Sequence, residues 1–196
     1  EVVVWFMNGP SIRMSASLGV VGLSWAIIGV GDFGGDGKSD ILWRGAAGEV
    51  FMWRMNGATV SAKSFVTYAA TTWSVAATGD FNGDGYEDLI VSAPAVYPSG
   101  YASNAGNSHV YILFGSPTGL PVINDITKIS SSQGVDITWT GATVDLSVTA
   151  TTAQAAGDVN GDGYADLLIA GASSGPAYVV FGKSGTASVS LSSVSA

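Results

Sequence analysis

Three nine-residue segments hold most of the chain's potential chemistry: Asp32-Phe33-Gly34-Gly35-Asp36-Gly37-Lys38-Ser39-Asp40, Asp80-Phe81-Asn82-Gly83-Asp84-Gly85-Tyr86-Glu87-Asp88 and Asp158-Val159-Asn160-Gly161-Asp162-Gly163-Tyr164-Ala165-Asp166. Each sets aspartates at positions 1, 5 and 9 and glycines at 4 and 6. Position 3 is Asn82 and Asn160 in two of them and Gly34 in the first. Three carboxylates so close together repel one another unless a positive charge lies among them. A hard divalent cation meets that need. Ca²⁺ takes six to eight oxygens from carboxylates, amides, carbonyls and water, whereas Mg²⁺ tends to keep several of its own waters. Position 7 (Lys38, Tyr86, Tyr164) would add a backbone carbonyl, and the glycines would let the chain fold tightly around the ion. The plainer alternative is that the Asp-Gly clusters only form Asx turns in tight hairpins. Three recurrences in one register favour the ion.

The opening Asp-x-Asn-x-Asp-Gly of the second and third segments matches the start of an EF-hand. The rest does not, because position 12 is Trp43, Val91 or Ile169 where an EF-hand needs Glu. The chain also runs on as an apolar β-type stretch, so the ion would sit in a loop between two strands.

The elements that must position these loops repeat. Trp5-Phe6-Met7-Asn8-Gly9 recurs 48 residues later as Trp53-Arg54-Met55-Asn56-Gly57, and Trp25 and Gly31-Asp32-Phe33 recur at the same spacing as Trp73 and Gly79-Asp80-Phe81. The third loop follows the second by 78 residues, which implies inserted sequence. Asp40–Trp43, Asp88–Val91 and Asp166–Ile169 are short apolar runs directly after each Gly-rich turn; continuous runs of this kind suit strands covered on both faces. Helical periodicity is scarce. Short strands in units of this length predict an all-β chain of four-stranded propeller blades. The expected division is a single propeller segment over 1–196. Within it, 1–24 is the end of a first blade, 25–71 a blade with calcium loop 32–40, 72–148 a blade with calcium loop 80–88 and insertions, and 149–196 a blade with calcium loop 158–166. Residues 92–108 read as a long surface loop, and 116–156 as Ser/Thr-rich sequence with outer strands such as Val135–Trp139.

Gly79-Asp80-Phe81-Asn82-Gly83-Asp84-Gly85-Tyr86-Glu87-Asp88-Leu89-Ile90-Val91 and its counterpart Gly157–Ile169 resemble FG-GAP (VCBS-type) repeats. That family includes the calcium-binding blades of integrin α-subunit propellers, some fungal lectins and many secreted bacterial proteins. Ser92-Ala93-Pro94 resembles the "GAP" element with its glycine replaced, and Phe114-Gly115 and Phe181-Gly182 resemble the "FG" element. The resemblance implies a propeller with Ca²⁺, up to three ions, held by Asp32, Asp36 and Asp40 and their counterparts. Gly34 leaves the first site one side-chain ligand short, so that it is weaker or completed by water.

Other chemistry has little support. The chain of 196 residues carries 15 acidic and 7 basic side chains, one histidine and no cysteine. A net charge of -8 without a basic patch disfavours nucleic acid. The absence of cysteine excludes a disulfide scaffold, a thiolate zinc site and a thiol nucleophile. No apolar run approaches the ~20 residues of a membrane helix. His109 has no partner suggested by the sequence, the serines lack a Gly-x-Ser-x-Gly elbow, and carboxylate pairs outside the loops are sparse, so no enzyme is expected. The six tryptophans suit blade packing better than sugar stacking, since two pairs of them fall at repeat positions. The expected function is a secreted or cell-surface calcium-stabilised propeller segment for adhesion, recognition or extracellular assembly. A lectin of the same family and an accessory or catalytic propeller of a secreted enzyme are the alternatives. Its partners would be an extracellular protein or glycan, or further copies through open blade edges. A start at Glu1 without Met reads as a processed or excised piece. Half a blade plus three is too few for a closed ring of four to eight, which leaves a fragment or an assembly of copies.

Overall fold

The computed structural model describes residues 1–93, 108–139, 152–170, 177–185 and 189–190. Most of the expected surface loop at 92–108, including Pro94, and residues 140–151 of the Ser/Thr-rich stretch lie outside them. The described chain is all-β apart from one 3-10 turn, Ile126–Lys128, whose first N–H groups Asp125 caps by accepting from the Thr127 amide.

Strands β1 (Val2–Asn8) and β2 (Ser11–Gly19) form a hairpin. Strands β3 (Trp25–Gly31), β4 (Asp40–Gly45), β5 (Glu49–Asn56) and β6 (Thr59–Tyr68) form a four-stranded antiparallel sheet in chain order. Strands β7 (Ser74–Gly79), β8 (Asp88–Ala93), β9 (Ser108–Leu113) and β10 (Gly134–Trp139) form the next, and β11 (Thr152–Gly157), β12 (Asp166–Ala170) and β13 (Ala177–Val180) a third. These are blades of a propeller whose ring is not closed. One detail departs from the expected division at 149–196. The last described strand, β14 (Val189–Ser190), leaves β11–β13 and pairs in parallel with Ile137–Thr138 at the outer edge of β10. That edge offers unpaired N–H and C=O groups to any extended segment within reach.

The sheets stack face to face, which explains the unbroken apolar runs. On β4, Ile41 and Trp43 point into a core shared with Val2, Val4 and Leu18 of the hairpin, whereas Leu42 points the other way. Leu42, Val50 and Met52 meet Leu89, Val91 and Tyr111 of the next blade. Ile90, Ile112 and Phe114, on that blade's far side, meet Leu167 and Ile169 of the last. Successive side chains of a strand point to opposite faces, so a blade between two neighbours needs both parities apolar.

Candidate metal-binding loops

Each Asp-rich loop joins the first and second strands of its sheet: 32–39 between β3 and β4, 80–87 between β7 and β8, and 158–165 between β11 and β12. The loops stand side by side. The Glu87 amide donates to the Asp32 carbonyl at 3.1 Å, and the Ala165 amide to the Asp80 carbonyl at 2.9 Å. The glycine at position 4 is required twice over. Its backbone lies in the left-handed region (φ 63° at Gly35, 72° at Gly83), and a Cβ there would run into the ring of Tyr86 or Tyr164 from the next loop. The position-7 tyrosines, expected only as carbonyl donors, therefore also staple one loop to the previous one. Their recurrence at 86 and 164 is the signal that could have revealed this.

The second and third loops share one hydrogen-bond scaffold. Asp80 accepts from the amides of Gly83 (2.7 Å), Asp84 (3.1 Å) and Gly85 (2.9 Å), and Asp158 from Gly161 (2.7 Å), Asp162 (3.0 Å) and Gly163 (2.9 Å). The Asp84 amide also donates to Asn82 Oδ1, Asn82 Nδ2 donates to Asp84 Oδ2, and Asp84 Oδ1 accepts from the Tyr86 amide. Asn160, Asp162 and Tyr164 repeat every one of these bonds. Positions 1, 3 and 5 are thereby drawn together, and every oxygen they present is a hard donor.

Position 9 also makes bonds that the sequence did not suggest. Asp88 is fully buried at the start of β8, where its two oxygens accept the Phe81 and Gly115 amides at 2.9 Å each. Asp166 accepts the Val159 amide at 2.7 Å and the Gly182 amide at 2.9 Å, and Asp40 accepts the Met55 amide at 2.9 Å. These aspartates tie the loop to the third strand of the sheet. The "FG" glycine is part of the same joint, since a Cβ on Gly115 would strike the Glu87 carbonyl and one on Gly182 the Ala165 carbonyl. Among the described residues, no three carboxylate or imidazole groups converge closely enough to form a metal cluster by themselves. Asn82 and Asn160, and the position-7 carbonyls, would have to complete any donor set. A carboxylate oxygen that accepts one N–H keeps a second lone pair, so Asp88 and Asp166 retain acceptor capacity. Burial pushes the Asp88 carboxyl up to about 8, the Gly115 and Phe81 amides pull it back in part, and Asp84 and Asp80 raise it further. A buried carboxylate with two anionic neighbours and no cation beside it among the described residues is what a bound divalent ion would relieve. Asp40 is likewise raised by burial, against the Met55 amide and the charge of Arg54.

The first loop is built differently. Asp32 accepts from the Asp36 (3.0 Å) and Gly37 (2.7 Å) amides, but position 3 has no side chain, and Lys38 Nζ lies 3.2 Å from Asp36 Oδ2.

Two features lie outside the loops. His109 pairs across β9–β10 with Asp136 (Nδ1 to Oδ1 2.9 Å) and stacks on Tyr111, a partner the sequence did not suggest. A cavity of about 290 Å³ between the connection after β2 and the first full blade is lined by Val20, Val21, Trp25, Trp43, Phe51 and Trp53. The buried Trp43 indole N–H has no acceptor among the described residues.

Stacked all-β blades, each with an Asp-rich loop between its first two strands, define a propeller repeat protein. The FG-GAP repeat family matches residues 71–113 and 150–190, and the FG-GAP-like repeat family matches residues 32–91. Together these matches cover more than half of the chain, and it belongs to the FG-GAP repeat proteins. No curated protein is matched. FG-GAP repeats occur in extracellular proteins, generally in non-catalytic domains of adhesion or recognition. Among the described residues, no helix is long and apolar enough to cross a membrane.

Proposed function

We propose that the chain is a calcium-stabilised propeller segment of a secreted or cell-surface protein, non-catalytic, serving adhesion, recognition or extracellular assembly. The observation that supports it most is the identity of the scaffolds at 80–88 and 158–166. Asp80, Asn82, Asp84, the Tyr86 carbonyl and Asp88 would hold one ion, and Asp158, Asn160, Asp162, the Tyr164 carbonyl and Asp166 another. An ion there would neutralise the carboxylates and pin the loops through which adjacent blades touch, so calcium would stiffen the edge of the stack. Removing the nine loop aspartates from the count leaves six acidic against seven basic residues. The overall charge of -8 thus belongs to the loops, and partners need not be basic.

Thermal melting in calcium and in chelator tests this directly. At free calcium one hundred times the dissociation constant, each occupied site adds about 2.7 kcal/mol to the folded state. Superimposable melting curves in the two conditions would remove the calcium assignment. A glycan partner is the second reading, favoured by the tryptophan-lined cavity. It ranks below because the cavity lining has no charged or amide side chain to hold sugar hydroxyls.

A further inference from the structure

The first loop repeats the backbone of the other two yet replaces the features that would serve an ion. In the second and third loops an asparagine amide donates to Oδ2 of the position-5 aspartate, at 2.9 Å in both. In the first, the Lys38 ammonium takes that same oxygen of Asp36. Position 3 is filled from elsewhere. A Cβ on Gly34 would lie 2.5 Å from Nη2 of Arg54 and 3.2 Å from Cζ, so the guanidinium rests where an asparagine side chain would begin.

Strand register shows what Arg54 has replaced. Ile41 pairs with Trp53, Leu89 with Leu113 and Leu167 with Val180, so the next residue along is Arg54 in one blade and Phe114 or Phe181 in the others. The glycine at position 3 and the arginine in place of the FG phenylalanine therefore come as a pair. Three aspartates in the first loop face two cations. The second loop holds Asp80, Asp84, Glu87 and Asp88 with Tyr86 at position 7, and the third holds Asp158, Asp162 and Asp166 with Tyr164 there. Lys183, whose amide donates to the Phe81 carbonyl, forms no ion pair with the second loop's carboxylates among the described residues.

We propose that loop 32–40 is a metal-independent copy of its neighbours, in which Lys38 and Arg54 supply the positive charge, so that the chain binds two Ca²⁺ rather than three. This rests on the calcium reading above and limits it to loops 80–88 and 158–166. An ion approaching Asp36 would have to displace a covalently tethered ammonium and would find no oxygen at position 3. The blade carrying Lys38 then keeps its loop ordered when calcium is withdrawn, and the other two blades do not.

Native mass spectrometry of the intact chain at saturating calcium should count two bound ions. Asp36→Ala should leave two, whereas Asp84→Ala and Asp162→Ala should each leave one. Three ions in the native chain, with Asp36→Ala reducing them to two, would overturn the proposal while leaving the calcium reading standing. No bound ion would overturn both. Hydrogen exchange gives a second readout: chelation should speed exchange of the amides at 83–86 and 161–164 and leave 36–38 unchanged. Equal acceleration in all three loops would count against the proposal. The combined variant Gly34→Asn, Lys38→Tyr, Arg54→Phe should gain a third ion; a folded variant that still holds two would show that these residues are not what excludes it.

Discussion

Trp5 and Trp53 occupy the same position in successive repeats, and their surroundings differ sharply. Trp53 is 8% exposed, tilted against Trp43 at 4.8 Å between ring centroids, with Lys63 Nζ 3.8 Å above its ring; Trp5 is 61% exposed. The contrast extends to the far side of the stack. Ile90 and Phe114 are buried against the last blade, whereas their counterparts Leu168 and Phe181 lie uncovered. One residue type at one repeat position can therefore be core or surface, and the presence of a neighbouring blade decides which. The outer faces of the hairpin and of β11–β13 carry opposite halves of the interface that the inner blades bury between them. Such pairs of faces make head-to-tail contacts, which suits stacking of further blades or copies.

The largest test of this contrast is removal of the buried ring. Trp53→Ala should destabilise the chain by about 3–5 kcal/mol, the range for large aromatics in cores, measured by urea unfolding. A loss as small as that of an exposed residue would mean that the hairpin does not cover Trp53 in solution.

A second effect separates position 9 of the inner blade from ordinary surface carboxylates. Asp88 titrates near 8 in the folded chain against about 3.9 when unfolded. Between those values the folded state binds the proton more tightly, so the Asp88 contribution to calcium-free stability should be fully present below about pH 4 and be lost as pH rises through 8. Asp40, also raised by burial, acts in the same direction. Calcium should flatten the slope by holding the carboxylate ionised, as should Asp88→Asn. Chemical denaturation across this pH range, with and without chelator, measures it. A calcium-free slope no different from that of Asp88→Asn would show that Asp88 is not buried without a counter-charge.

Much of this was legible in the residues because repeated sequence announces repeated structure. The 48-residue spacing, the Gly-rich turns and the apolar runs after them led to stacked blades, since a strand covered on both faces leaves no other pattern. The loop scaffold was legible at positions 1, 4, 5 and 6, where carboxylates and glycines have few alternative uses. Position 9 was not. The amides that Asp88 accepts come from Phe81 and from Gly115, 27 residues away, and a bond across strands leaves no local signature. Arg54 was equally hidden, because its link to Gly34 runs through strand pairing over twenty residues and has no local signature. The His109–Asp136 pair failed to appear for the same reason, its members meeting across β9 and β10.

The weakest substitution sharpens the comparison most. Trp5→Ala should change unfolding free energy by about 0.5 kcal/mol or less, since a side chain that already faces water loses little on truncation. The companion change Phe181→Ala, on the opposite outer face, should behave alike. Dilution makes the pair informative, because any neighbour that covers these faces in solution would bury the rings and raise their cost toward that of Trp53. A cost for Trp5→Ala that grows with protein concentration, together with a rising mass in light scattering, would identify the neighbour as another copy. A small, concentration-independent cost would show a face that this chain alone leaves open, and the difference between Trp5 and Trp53 would then measure what one packed blade contributes.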